Sequence, residues 1–182
     1  MISSVLKELT EAAAELRLVS IARRDLQELT GFPLAVGSRL VLVRHVNAEM
    51  LLPDGYAIVR VQDVTAVRAS EWDHAVQRAL AAESLLPDPA GTPAVRLDDW
   101  ASALADLYAR GEPVSLECED DEGGYAMGML TTVGEDRTGI RHVAADGTWE
   151  DEDWTFYHAS ITIVTIGRRY VELFSRVAGD LP

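Results

Sequence analysis

The chain of 182 residues is poor in several features that would point to a function. It has one cysteine, Cys118, which excludes an internal disulfide and fits a reducing compartment. Lys7 is its one lysine, and no run of basic side chains occurs anywhere. Phosphate backbones are held by clustered Lys and Arg that release counterions. With 30 acidic residues and a net charge of −14, the composition disfavours nucleic acid and anionic membrane and favours a basic protein as partner. No apolar run approaches the roughly 20 residues of a membrane-spanning helix. The stretch MISSVLKELTEAAAELR lacks the basic, apolar and small-residue order of a secretory signal. These absences predict a cytoplasmic protein.

Catalytic and metal-binding patterns are missing too. The four histidines show no H-x-H or H-E-x-x-H spacing, and one cysteine rules out C-x-x-C, so no metal or cofactor is expected. No G-x-S-x-G, P-loop or dinucleotide fingerprint occurs. Cys118 sits between Glu117 and Glu119, whose negative charges oppose formation of a thiolate nucleophile. His158, in WTFYHAS, is read as a histidine on a partly buried strand face. The expectation is a protein that is not an enzyme.

What is present is a repeat. A hydrophobic fraction of 48% and a mean hydropathy of +0.02 are those of a globular protein. Sliding the chain against itself by 97 residues places Val36-Gly37 on Val133-Gly134 and Arg44-His45-Val46 on Arg141-His142-Val143. Asp54 falls on Asp151, Thr65 on Thr162 and Val67 on Val164; nine of the 32 pairs from Val36 to Val67 are identical. The twice-occurring Arg-His pair invites a catalytic reading, but equivalent positions in a repeat are explained first by a shared structural demand, a strand-end histidine bonding a nearby carbonyl.

The elements around the repeat also correspond. Ile2, Val5, Leu6, Leu9, Ala13 and Leu16 have helical spacing, with Ser3 or Ser4 as N-cap; Leu97, Trp100, Ala101, Leu104, Leu107 and Tyr108 repeat it, with Asp98 and Asp99 in the first turn. Five short strands follow in each half: LVSIAR, FPLAV, RLVLVRHV, YAIVRV and VTAVRA, then VSLEC, YAMGMLTTV, RTGIRHV, WTFYHA and ITIVTI. Helices over 71–85 and 168–177 close the halves. The Pro/Gly-rich LLPDPAGTPAVR marks a boundary, giving units of 1–90 and 91–182. Five strands of this length must curl into a small barrel, or pair an edge with the other half.

The second copy carries a resemblance. VSLECEDDEGGYAMGMLTTVGEDRTGIRHV is similar to the first Sm motif, and ITIVTIGRR to the short second one. The likeness covers 97–178 well and 2–85 more loosely, and resembles bacterial proteins of this shape without assigned function. It implies an α+β fold of two tandem five-stranded antiparallel Sm-like or SH3-like barrels, each flanked by helices, from internal duplication. It also implies an alternative function, an RNA-associated Sm-like protein, and homo-oligomers built through edge strands. The Asp and Asn that Sm proteins place around their second loop have no match beyond Asp136, and their Arg-Gly is replaced by Gly167-Arg168-Arg169.

Charge separates the copies. Residues 1–95 hold 12 acidic and 9 basic residues, residues 96–182 hold 18 and 7. The excess lies in Glu117-Cys118-Glu119-Asp120-Asp121-Glu122 and Glu150-Asp151-Glu152-Asp153, placed in the loops joining strands one to two and three to four of the second half. Together these predict one acidic pole, with Trp149 and Trp154 flanking the second run and Trp154 assigned to the core by alternation. The candidate partner-binding residues are Glu119, Asp120, Asp121, Glu122, Trp149, Glu150, Asp151, Glu152 and Asp153. The function expected is a non-catalytic protein–protein interaction module of inhibitor or immunity type, masking a basic surface.

Overall fold

A computed structural model of the chain describes residues 2–47, 49–119 and 124–181. The first half runs α1 (Ile2–Ala14), β1 (Val19–Arg23), β2 (Leu26–Val36), β3 (Leu40–Asn47), β4 (Leu52–Arg60), a 3-10 turn (Val61–Asp63), β5 (Val64–Arg68) and α2 (Glu71–Ala82). The second runs α3 (Trp100–Arg110), β6 (Val114–Cys118), β7 (Tyr125–Val133), β8 (Arg137–Val143), β9 (Trp149–Tyr157), β10 (Ile161–Ile166) and α4 (Arg169–Ala178). Between them a single 3-10 turn, Pro89–Gly91, interrupts an otherwise irregular link.

The helix starts follow local chemistry. Ser70 and Asp73 form a capping box that opens α2, each side chain taking the other's backbone N–H. Asp99 is the N-cap of α3, accepting from Ser102 N at 2.8 Å, so it precedes the first turn instead of lying in it. The start of α1 differs from the sequence reading: the helix already runs through Ser3 and Ser4, and Val5, Leu9 and Ala12 are its buried stripe.

All ten strands form one antiparallel sheet in the order β5-β1-β2-β3-β4-β10-β6-β7-β8-β9. The five strands of each half are thus parts of one shared sheet among the described residues. The sheet is open, with β5 and β9 as its edges, and the halves join where β4 pairs with β10. An unpaired edge leaves a row of backbone donors and acceptors, and pairing two of the four edges removes half of that exposure.

The two halves share one register over most of their ladders, which slips by one residue in β9, where Val143 faces Trp149 while Val46 faces Pro53. Gly31 faces His45 and Gly128 faces His142; Ala35 faces Leu42 and Thr132 faces Gly139; Arg44 faces Tyr56 and Arg141 faces Asp153. Each pair recurs after 97 residues. Gly31 and Gly128 are the clearest physical mark of it. A Cβ at Gly31 would collide with the Arg44 carbonyl oxygen, and one at Gly128 with that of Arg141. The Arg-His-Val repeat thus sits where the third strand lies hard against a glycine of the second.

The core does not stop at the boundary between halves. Leu40, Leu42 and Ile58 pack in one buried cluster with Trp100, Leu104, Leu107, Leu116, Ile140 and Val164. A second cluster sits under α1 and includes Ile163 of β10 beside Val41, Val43, Ala57 and Val59. β10, buried at every residue, is the shared centre of the molecule.

Candidate functional site

The second acidic run is not a loop. Residues Glu150–Asp153 are the first half of β9, an edge strand whose only partner among the described residues is β8. Acidic residues are poor strand formers, so the sequence pattern hides a strand there. At an edge, however, charge is the usual guard against unwanted pairing.

Residues Asp151 through Thr155 are all exposed. Asp153 is anchored by Arg141 Nε at 2.7 Å and by Thr131 Oγ1 at 2.7 Å. The Thr131 bond, aided by Arg141, holds its carboxyl below the usual carboxylate range against a smaller opposing effect of burial. Trp154 is 36% exposed, against the core placement expected from alternation. It stacks on His142 with ring centroids 4.7 Å apart, and its Nε1–H donates to Glu150 Oε2 at 2.6 Å. Tyr157 at the strand's end is 56% exposed. The result is a backbone edge flanked by Asp151, Glu152 and two aromatic rings.

Trp149 behaves differently. It packs with Met127, Val143 and Val171 beneath α4, and its Nε1–H donates to Gly179 O at 3.2 Å. It anchors the start of β9 and is not a second exposed ring.

The first acidic run is divided. Glu119 turns toward the join between halves, where its carboxylate pairs with Arg60 Nη2 and its N–H bonds Ser160 O at 3.0 Å. Arg60 also pairs with Asp63 at 2.5 Å and donates to Ala159 O at 2.8 Å. Glu119 is thus tied into the join by its pair with Arg60, with its side chain 54% exposed. Asp120, Asp121 and Glu122 lie outside the described residues.

The repeated histidines do structural work of two kinds. His45 Nδ1 lies 3.4 Å from Asp54 O, and burial pushes its pKa down. His142 Nδ1 accepts from Met127 N–H at 3.2 Å while its ring supports Trp154. Among the described residues, no three His, Cys, Asp or Glu side chains come together in a way that could hold a metal.

A cavity of about 770 Å³ opens at the join, bordered by Arg39, Arg60, Asp99, Trp100, Glu135 and His158. His158 is 8% exposed, and its Nε2 is shielded from solvent without a hydrogen-bond partner among the described residues. Burial pushes its pKa down, against smaller opposing effects of nearby carboxylates and backbone carbonyls. Two arginines, Arg39 and Arg60, and two carboxylates, Asp99 and Glu135, border the cavity together with Ser38 and His158. No helix among the described residues is long and apolar enough to cross a membrane. No protein-family model matches the chain, and neither a curated protein nor a solved structure is significantly similar to it.

Proposed function

We propose that this protein is a non-catalytic protein–protein interaction module that presents the acidic outer edge of β9 to a basic partner. One observation carries the reading. β9 is an open backbone edge with Asp151 and Glu152 exposed along it and Trp154 and Tyr157 beside them. Unpaired N–H and C=O groups supply affinity to an added strand, carboxylates select a basic chain, and exposed aromatics supply contact area. An inhibitor or immunity-type role, masking a basic surface, is the form that fits the net charge of −14.

We also read the halves as duplicated small barrels of Sm-like type opened onto each other. The common strand order and the common 97-residue register support this. The RNA-associated alternative has less support: Asp136 is paired with its neighbour Arg137, and the open edge is acidic.

The test is capture of partner proteins from a cell extract at low salt. Wild type retains a basic protein that high salt releases, and Asp151→Lys with Asp153→Lys loses it. Equal retention by the charge-reversed variant removes the reading. Measurable affinity for single-stranded RNA in place of protein would move the function to the alternative.

A further inference from the structure

The molecule already contains one filled copy of the β9 edge. Offset by 97 residues, β9 corresponds to β4, and the outer side of β4 is occupied by β10. There Ile163 faces Val59, Val164 faces Ile58, Thr165 faces Ala57 and Ile166 faces Tyr56. Carried across the repeat, the four positions on β9 are Phe156, Thr155, Trp154 and Asp153. The filled edge therefore shows what kind of segment the open edge is shaped to take.

Two further features seal the filled edge. Asp54 accepts from Arg168 Nε at 3.1 Å and from Arg169 N at 3.1 Å, just beyond the end of β10. Gly55, at φ +70°, lets the incoming chain pass so closely that a Cβ there would strike the Ile166 carbonyl oxygen. By the 97-residue offset the aspartate is kept in the second copy as Asp151, in a stretch where β9 carries one more residue than β4 between matching ladder pairs. The glycine is replaced by Glu152, which is exposed.

The strand in this chain that corresponds to β10 is β5, the other open edge. A second copy of the chain would bring β5 to β9 in the same register. Arg168 would then be represented by Glu71, which is exposed at the start of α2, and it would meet Asp151. Like charges would then replace an ion pair. Head-to-tail addition of identical chains is opposed by the residues that seal the internal join.

We propose that β9 takes up a single antiparallel strand from a different protein, apolar along its ladder and followed directly by an arginine or lysine that pairs with Asp151, and that a second copy of this chain is excluded. This rests on the acidic edge being an interaction surface, and adds which backbone form and which chemistry it accepts.

The probe is the chain's own filled-edge sequence, a synthetic ITIVTIGRR peptide, titrated onto the intact protein at low salt. Binding is expected, with amide protection appearing in Asp153–Phe156. Asp151→Lys, or both peptide arginines changed to glutamate, weakens it at least tenfold. N-methylation of alternate peptide residues in one phase abolishes binding, and in the other phase leaves it. Equal binding by both methylated sets, or by an oligoarginine of matched charge, overturns the strand proposal while the acidic surface stands. Absence of peptide binding alongside salt-sensitive capture of a basic protein does the same; absence of both removes the underlying reading as well. Light scattering completes the test. Wild type stays monomeric, and Glu71→Arg associates as concentration rises. Wild-type self-association through β5 and β9 would overturn the exclusion.

Discussion

The outer sides of β4 and β9 occupy equivalent places in two halves built to one register, yet one is the centre of the molecule and the other its rim. The difference lies in few residues. At β4, Gly55 admits a close neighbour, Asp54 holds Arg168, and Arg60 reaches Glu119 across the join. On β9, Glu152 and Tyr157 stand at the positions matching Gly55 and Arg60, while Glu71, at the start of α2 after β5, stands at that of Arg168.

Gly55→Val attacks this comparison hardest. Valine is strained at φ +70°, and its Cβ collides with the backbone following β10. A loss of about 3 kcal/mol or more is expected in urea denaturation. Glu152→Val, its counterpart at the rim, changes stability by less than about 0.5 kcal/mol.

Next comes Arg60→Ala. The guanidinium is 9% exposed and holds Asp63, Glu119 and the Ala159 carbonyl together. Asp63 is left largely buried while Glu119, 54% exposed, returns to water, so a cost of about 2 kcal/mol is expected from chemical denaturation. Asp54→Asn follows, weakening the bonds to Arg168 and Arg169 N for about 1 kcal/mol. Asp151→Asn at the rim is expected to be neutral to denaturation, and stability measured on both variants decides whether only the inner aspartate is structural.

The smallest effect is a pH dependence within β9. The Asp153 carboxyl is held below its usual value chiefly by Thr131. A depressed carboxylate stabilises fully above its unfolded pKa of about 3.9 and loses that contribution as pH falls through the folded value. Asp153→Asn should therefore be less stable than wild type at pH 7 and should show a shallower loss of stability below about pH 4. Parallel curves for the two proteins would show that the Arg141 and Thr131 bonds contribute nothing to the fold.

Much of this fold is legible in the sequence. The helical stripe of Val5 and Leu9 and the repeat around Arg44-His45-Val46 rest on local periodicity and survive into the structure; the strand Val114–Cys118 is where the sequence puts it, but Ser115 is buried beside Val114 and Leu116, so its burial does not alternate. The site is less legible. Glu150–Asp153 reads as a loop because carboxylates are rare in strands, and only their place at a sheet edge makes them suitable. Trp154 reads as core because alternation assumes a covered face, and β9 has an uncovered rim. The pairing of β4 with β10 joins residues about 100 positions apart, and nothing in either segment alone specifies the other.

Native-state hydrogen exchange, compared strand by strand between β4 and β9, tests the account most directly. In the isolated protein, the outward amides of Tyr56–Val59 should exchange only with global unfolding. Those of Asp153–Phe156 on the outer side should exchange orders of magnitude faster, through local opening. Equal protection of the two sets would mean that β9 already has a partner strand, and would contradict an open edge at the rim.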